Sequence, residues 1–419
     1  MSETVFTYQA PALKFGVGAS AEIGYELASR SARRVLLITD AGVAATGHPD
    51  RIADQVRSRG IEVVVFDRTH VEPTDASLTE AIDFGRAEGP FDAIVAVGGG
   101  SAIDTAKAVN LLTTNEGELT DYLNAPVGRG LAPAQPLLPL IAVPTTTGTG
   151  SESTAVCVLD VLALQVKTGI SHAALRPVLA IVDPELTMSQ PPLVTAAAGM
   201  DILCHALESY TARWFASYPA KTPEQRVPYC GANPVADMWA EKSLSLLASS
   251  FRRAVREGSD TVAREEMAMA ATFAGMGFGN AGVHIPHANA YPIAGRVRSY
   301  VPAGYPEGEP IVPHGMAVSL TAPAAFGFTF SASPERHLRA ASLLGYDGPA
   351  SPAALPETLT ALMRDIGIPN GLGAVGYGEA DVDDLVEGAL KQQRLLAVAP
   401  REVRAEDLAG VFGDSMEHW

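Results

Sequence analysis

An α/β domain built on a doubly wound parallel sheet, followed by an all-helical domain, is the fold class this sequence predicts. Three observations carry that reading. Short apolar, β-branched runs alternate with amphipathic helical stretches over the first half of the chain. The third of these runs ends in three consecutive glycines that open a helix. Past the LAIVDPELT segment the β-branched runs give out and long helical patterns replace them. At 419 residues the chain exceeds one ordinary hydrophobic core, so residues 1–190 are assigned to the α/β domain and 191–419 to the helical one.

RRVLLITD (Arg33–Asp40), IEVVVFD (Ile61–Asp67), FDAIVAVGGG (Phe91–Gly100) and PLIAVPTT (Pro139–Thr146) read as strands. They are apolar nearly throughout, which marks strands buried on both faces and hence parallel. SAEIGYELASR, HPDRIADQVRSRG and DASLTEAIDFGRAEG are the helices between them. A sheet wound this way takes its ligand at the carboxyl ends of its strands. Pro191 and Pro192 then suit the start of a helix. ADMWAEKSLSLLASSFRRAVREG, TVAREEMAMAATFAGMGFG, SPAALPETLTALMRDIG and EADVDDLVEGALKQQ supply four more. FASYPAKTPEQRVPYCGANP and YVPAGYPEGEPIVPH, rich in Pro, Gly and Tyr, are loops over a site or plain connectors.

The net charge of −17 repels phosphate backbones and excludes nucleic acid as a partner. Cys157, Cys204 and Cys230 are scattered and odd in number, as in a reducing compartment. No stretch is long and apolar enough to span a membrane, and MSETVFTYQAPALKFG has neither the basic start nor the apolar core of a signal peptide. These features predict a cytoplasmic enzyme.

AVGGGSAIDTAKAV carries the first candidate site. Gly98, Gly99 and Gly100 let a backbone approach a ligand with no Cβ in the way. Ser101 is placed to cap the following helix, whose free N–H groups face an anion. That describes a pyrophosphate cradle. Asp40 ends the first strand, where an acid accepts hydrogen bonds from ribose hydroxyls and repels a 2′-phosphate, or simply forms a turn. PTTTGTGSEST offers Thr145, Thr146 and Thr154 to phosphate or sugar oxygens, and Lys167 either neutralises phosphate or lies on the surface.

GMDILCHALESY carries the second. Asp201 and His205 are four residues apart and project from one helix face. An isolated DxxxH pair reads first as a core hydrogen bond. His284, His287 and His314 change that, because two of them with Asp201 and His205 make a site of three nitrogens and a carboxylate. Such donors suit Fe(II) or Zn(II), and not Mg or Ca. His48, His70, His172, His337 and His418 read as turn or surface residues.

GGGSAIDTAKA, PTTTGTGSE, GMDILCHALESY, GNAGVHIPHANAYPI and VPHGMA, in that order, resemble the motifs of the iron-containing alcohol dehydrogenase family along nearly the whole chain. The tail from PERHLRAASLLG onward, and the insert between Tyr210 and Asn233, resemble the hydroxyacid-oxoacid transhydrogenase branch of that family. Carried over residue by residue, the resemblance implies a metal, Fe(II) or Zn(II), on Asp201, His205, His287 and His314. It implies NAD on Asp40, Gly99, Gly100, Ser101, Thr145, Thr146, Thr154 and Lys167. Tyr291 stands where the family usually has a second histidine, near the nicotinamide and the proton path, and His284 then faces the ligands or the substrate. The α/β domain would hold the cofactor and the helical domain the metal and substrate.

The implied reaction passes hydride through NAD from a hydroxyacid to an oxoacid: 4-hydroxybutyrate and 2-oxoglutarate give succinate semialdehyde and 2-hydroxyglutarate. The alternative is an NAD-dependent alcohol or aldehyde dehydrogenase that releases its cofactor each turnover. Arg213, Arg226, Arg296 and Arg298 are candidates to meet a substrate carboxylate. A homodimer or larger assembly is also implied. A lyase of the dehydroquinate-synthase type would show glutamate among its ligands, which the DxxxH with two later histidines does not.

Overall fold

The computed structural model describes residues 2–164, 166–226, 229–305 and 310–419. Residues 227–228 and 306–309, within the two expected loops, lie outside the described residues. The chain divides into two compact units, Ala10–Ser189 and a second made of Gln190–Trp419 with the N-terminal segment before Ala10.

The first unit is organised on a parallel sheet. Its strands are β1 (Ala12–Phe15), β2 (Arg34–Ile38), β3 (Glu62–Phe66), β4 (Ala93–Gly98), β5 (Leu140–Pro144) and, after a hairpin, β8 (Leu179–Val182). Among the described residues the order across the sheet is β1-β8-β5-β4-β2-β3, every pair parallel. Alternate residues of each strand feed opposite faces. Leu36, Ile38, Ile94, Ala96, Leu140 and Ala142 pack on one side with Leu78, Ile82, Ile103 and Val109 from the helices Asp75–Glu88 and Gly100–Thr114. Val35, Leu37, Val95, Val97, Ile141 and Val143 pack on the other with Ile23, Leu27, Ile52 and Val56 from the helices Ile23–Ser29 and His48–Arg57. Both faces being covered is why the central strands β2, β4, β5 and β8 are apolar nearly throughout, while the edge strands β1 and β3 are partly exposed and admit Lys14 and Glu62; the doubly wound fold is the one read from the sequence.

The antiparallel hairpin of β6 (Val156–Val161) and β7 (Val166–Ser171) was not expected. It carries Lys167 directly opposite Asp160.

The second unit is helical: Pro192–Thr211, Pro234–Arg256, Thr261–Ala281, Ile285–Gly295 and His314–Leu320 surround the candidate site, and the helices from Ala322 to Asp414 complete it. Assigning all of 1–190 to the sheet requires one correction. Residues 2–9 pack on the helical unit instead: the Glu3 N–H donates to Tyr218 O at 2.9 Å, the Glu3 carboxylate pairs with Arg226 at 3.1 Å, and the Gln9 N–H donates to Asn280 Oδ1 at 2.8 Å. His337 needs another. It is buried, with one ring nitrogen 2.9 Å from Thr329 Oγ1 and the other 2.8 Å from Ser333 O, so local partners satisfy it inside the core.

Candidate active site

The Pro192–Thr211 helix presents Asp201, His205 and Glu208 on one face, spaced by four and three residues. All three are buried. The Ile285–Gly295 helix brings His287, and the helix that begins at His314 brings that imidazole. Gly315 lets this last element come close: a Cβ there would lie 2.1 Å from Ala197 O and 2.7 Å from Asp201 Cβ. Three imidazoles face one carboxylate oxygen, and of the four expected donors Asp201, His287 and His314 form the tight group while His205 approaches Asp201 from outside it. Asp201 Oδ1 lies 3.7 Å from His205 Nε2, 3.5 Å from His287 Nε2 and 3.9 Å from His314 Nε2. Donor atoms of Asp201, His287 and His314 all fall within 4.8 Å of one another.

Tetrahedral ligands of a divalent cation stand about 3.3–3.6 Å apart at ordinary bond lengths; the His287 separation matches this and those of His205 and His314 are slightly longer. Asp201 Oδ1 and His287 Nε2 are buried and have no hydrogen-bond partner among the described residues. Buried polar atoms are normally paired, and these two, 3.5 Å apart, face each other; with the His287 proton on Nδ1 they become two acceptors that describe a cation seat. The charge balance agrees. Burial alone would raise the Asp201 pKa, but the neighbouring His205, His314 and His287 outweigh it and hold the carboxylate ionised well below its usual range. Burial pushes His205 down to about 3, which keeps that ring neutral and able to donate a lone pair. The His205 ring also stacks flat on Phe278, centroids 3.8 Å apart, which fixes its plane. His314 is 21% exposed where the other ligand side chains are enclosed, so the cluster opens on its side.

Sequence reasoning missed Glu208. Its carboxylate lies 2.5 Å from His287 Nδ1 and accepts the His284 N–H at 2.6 Å. A carboxylate on Nδ1 fixes which nitrogen carries the proton and turns Nε2 toward the other ligands. Burial lowers the His287 pKa, but Glu208 and Asp201 together hold it above the ordinary histidine value. His284 itself is turned away to Thr211 Oγ1, 3.0 Å from its Nε2. Tyr291 follows His287 by one helical turn and lies with its ring 6.4 Å from that of His314. The arginine candidates are each engaged: Arg213 with Ser217, Arg226 with Glu3, Arg296 with Asp384 and Arg298 with Asp381.

In the sheet unit, the glycine loop leaves β4 and enters the Gly100–Thr114 helix. A Cβ on Gly100 would lie 2.6 Å from Thr149 Cγ2, and one on Gly99 would lie 3.0 Å from Thr146 Oγ1. Only glycine admits the Thr-rich loop that closely. Ser101 is not the cap. The helix starts one residue earlier, with Gly99 at the N-cap and no side chain bonded there, and the Ser101 hydroxyl accepts the Glu72 N–H at 3.2 Å. The first N–H groups of the helix are thus left for an anion. Asp40 caps the turn after β2 by accepting the Val43 N–H at 2.9 Å. Its other oxygen lies 3.4 Å from where a Gly98 Cβ would stand, beside the glycine loop. Thr145 Oγ1 is buried with no partner among the described residues.

Two expected cofactor contacts are spent elsewhere. Thr154 Oγ1 accepts from Lys107 Nζ at 3.1 Å. Lys107 is fully buried, and its ammonium also reaches Asp104 at 3.1 Å, Ser151 Oγ at 2.7 Å and Val156 O at 2.6 Å. Lys167 is buried against two carboxylates, Glu72 and, across the hairpin at 2.9 Å, Asp160. Burial would lower its pKa, but those two charges hold it above the usual lysine value, and its charge is already matched.

A dinucleotide-type sheet unit and a helical unit with a carboxylate–histidine cluster define the class of protein. The model of the iron-containing alcohol dehydrogenases matches residues 10–184, and that of the C-terminal part of the same family matches residues 224–416. The chain is 43% identical over 424 residues to the mitochondrial hydroxyacid-oxoacid transhydrogenase of Bos taurus, covering 99% of this chain and 91% of that one. The human protein of that name is 43% identical over 413 residues, covering 97% and 88%. Among solved structures, a 1,3-propanediol oxidoreductase superposes with a TM-score of 0.86 at 32% identity, covering 98% of this chain and all (100%) of that one. The sulfoacetaldehyde reductase of Bifidobacterium kashiwanohense, solved in complex with NAD+, gives 0.82 at 27% identity, covering 99% of each. The chain belongs to the iron-containing alcohol dehydrogenase family, and it is an oxidoreductase acting on CH–OH groups.

The comparisons overturn the cytoplasmic expectation, because these transhydrogenase relatives are mitochondrial proteins. The features behind it were free cysteines and the lack of a spanning segment. Cys157, Cys204 and Cys230 are free, and no single helix among the described residues is long and apolar enough to cross a membrane. Both properties suit any reducing compartment, so they never distinguished one from another.

Proposed function

We propose that the protein is a hydroxyacid-oxoacid transhydrogenase that passes hydride through NAD from 4-hydroxybutyrate to 2-oxoglutarate, giving succinate semialdehyde and 2-hydroxyglutarate. The observation that carries this reading is the convergence of Asp201, His205, His287 and His314 in a chain that resembles transhydrogenases over 99% of its length. Those four side chains hold a divalent metal, Fe(II) or Zn(II). Bound there, the metal supplies Lewis-acid polarisation of the substrate oxygen, and NAD at the glycine loop supplies the hydride chemistry.

The chain's own groups do the rest. Glu208 keeps the His287 proton on Nδ1, so that Nε2 stays a ligand. The Tyr291 hydroxyl, beside the partly exposed His314, carries the proton that leaves the donor's hydroxyl and is needed again at the acceptor's carbonyl. The uncapped N–H groups after Gly99 take the pyrophosphate, with Gly99 and Gly100 allowing the approach. Asp40 accepts from the ribose and selects NAD over NADP. Thr145 and Thr146 line the cradle, Ser101 fixes the backbone at Glu72, and Thr154 and Lys167 position it through Lys107, Glu72 and Asp160.

The test supplies purified protein with 4-hydroxybutyrate and 2-oxoglutarate and no added NAD. Formation of 2-hydroxyglutarate supports the reading, and a strict need for stoichiometric free NAD refutes it in favour of a plain dehydrogenase. His205→Ala abolishes turnover, and full activity in that variant would remove the metal from the mechanism.

A further inference from the structure

We propose that the helical unit carries a second binding site, for a small, multiply charged oxyanion. It lies in a cleft of about 1030 Å³ whose wall includes Arg213, Trp214, Ser333, Arg336, Arg401 and Glu402. That volume is of the size that takes small molecules. On a chain of net charge −17, this wall brings three guanidiniums together against one carboxylate of its own. Asp237 pairs with Arg336 and offsets one charge, and the balance stays positive.

Each guanidinium is held in place while keeping N–H donors unspent. Arg213 uses Nε and Nη2 on Ser217 and stacks over Tyr218 at 4.4 Å, which leaves Nη1. Arg336 uses Nε on Tyr210 O and Nη2 on Asp237, and stacks over Tyr210 at 4.2 Å, which also leaves Nη1. Arg401 uses only Nη1, on Phe328 O and Ser331, and lies 4.2 Å over Phe328. Arginines locked by carbonyls and aromatic faces lose little freedom when an anion arrives, and their forks match carboxylate and phosphate geometry.

The helix Pro334–Leu343 adds an independent contribution. It begins at the cleft with Ser333 as its N-cap, and no side chain bonds the N–H groups of its first turn. Pro334 has no N–H and Glu335 already sets one exposed carboxylate in that turn, so the contribution is limited to the N–H groups of Glu335 and Arg336 and the helix dipole, which favour negative charge at the same place. The shared chemistry is that of a polycarboxylate or a phosphate compound, and the site is distinct from the His205 cluster and the glycine loop.

The experiment is calorimetric titration of the full-length protein at low salt with citrate and, separately, with pyrophosphate. Saturable binding of either supports the proposal, and the better ligand identifies the source. Arg401→Glu, at an exposed position, is expected to keep the transhydrogenase activity and to weaken binding roughly tenfold or more. Arg213→Lys, which keeps the charge and loses the fork, is expected to weaken it less. Hydrogen exchange should slow at residues 333–336 and 401–403 when the ligand is added. Binding of neither anion, or equal affinity in wild type and Arg401→Glu, overturns the proposal.

Discussion

Replacing Glu208 by Gln tests how the cluster is built. The carboxylate serves two sides: one oxygen takes the Nδ1–H of His287 at 2.5 Å, the other takes the backbone N–H groups of His284 at 2.6 Å and His287 at 3.4 Å, and it is fully buried. An amide has one oxygen and can serve only one of them. If its oxygen stays with His287, its NH2 meets the His284 N–H, and an unsatisfied buried donor costs about 1–3 kcal/mol of stability. If the amide turns over, its NH2 meets His287 Nδ1, the proton moves to Nε2, and the lone pair aimed at the other ligands is lost. Removing such an outer partner typically lowers metal affinity about 10–100-fold, or about 1.4–2.8 kcal/mol. The assay is competition of the metal-loaded protein against a chromophoric chelator, with thermal melting of the metal-free protein beside it. The expected result is weaker metal retention together with a moderate fall in melting temperature. A lower melting temperature with unchanged metal affinity would reduce Glu208 to a structural buttress and refute the argument.

Two further expectations follow from close contacts and burial. Gly315→Ala puts a methyl 2.1 Å from Ala197 O, and crowding of this kind costs about 1–3 kcal/mol or more, so both the melting temperature and metal affinity should fall; neither moving would sink the close-approach account. Glu152 is buried, which raises its pKa from 4.5 to about 6, a shift worth about 2 kcal/mol. The folded state binds that proton more tightly than the unfolded chain. The charge therefore costs stability above about pH 6 and costs nothing below the unfolded value. Glu152→Gln is expected to melt higher than wild type near pH 8 and to lose that advantage near pH 4, and an advantage that does not change with pH would exclude this cause.

The sheet was legible because burial on both faces leaves a plain signature: FDAIVAVGGG and PLIAVPTT have no polar face to hide, and IEVVVFD at the edge carries the same apolar run although Val65 is exposed. The DxxxH pair was legible for a related reason, since helical spacing alone puts Asp201 and His205 together. Glu208 lies on the same face, but its partner comes from the Ile285–Gly295 helix, and nothing local marks it. Lys107 and Lys167 were hidden by a general expectation that lysines are solvated. What buries them is long-range: Ser151 and Val156 around one, and the cross-strand Asp160 with Glu72 around the other. His337 escaped for the opposite reason, because its partners are so near in sequence that a polar residue in a helix looked like ordinary surface.

Lys107 has a kinetic corollary. Its ammonium ties the helix after the glycines to Ser151 and Thr154, at the far end of the threonine segment. The two segments proposed to hold the nucleotide are therefore lashed together from inside the protein before any ligand arrives. Docking then requires no folding of the threonine segment, and encounter is governed by diffusion and the repulsion of an acidic surface. Raising the ionic strength should accordingly quicken capture of the anionic nucleotide rather than slow it.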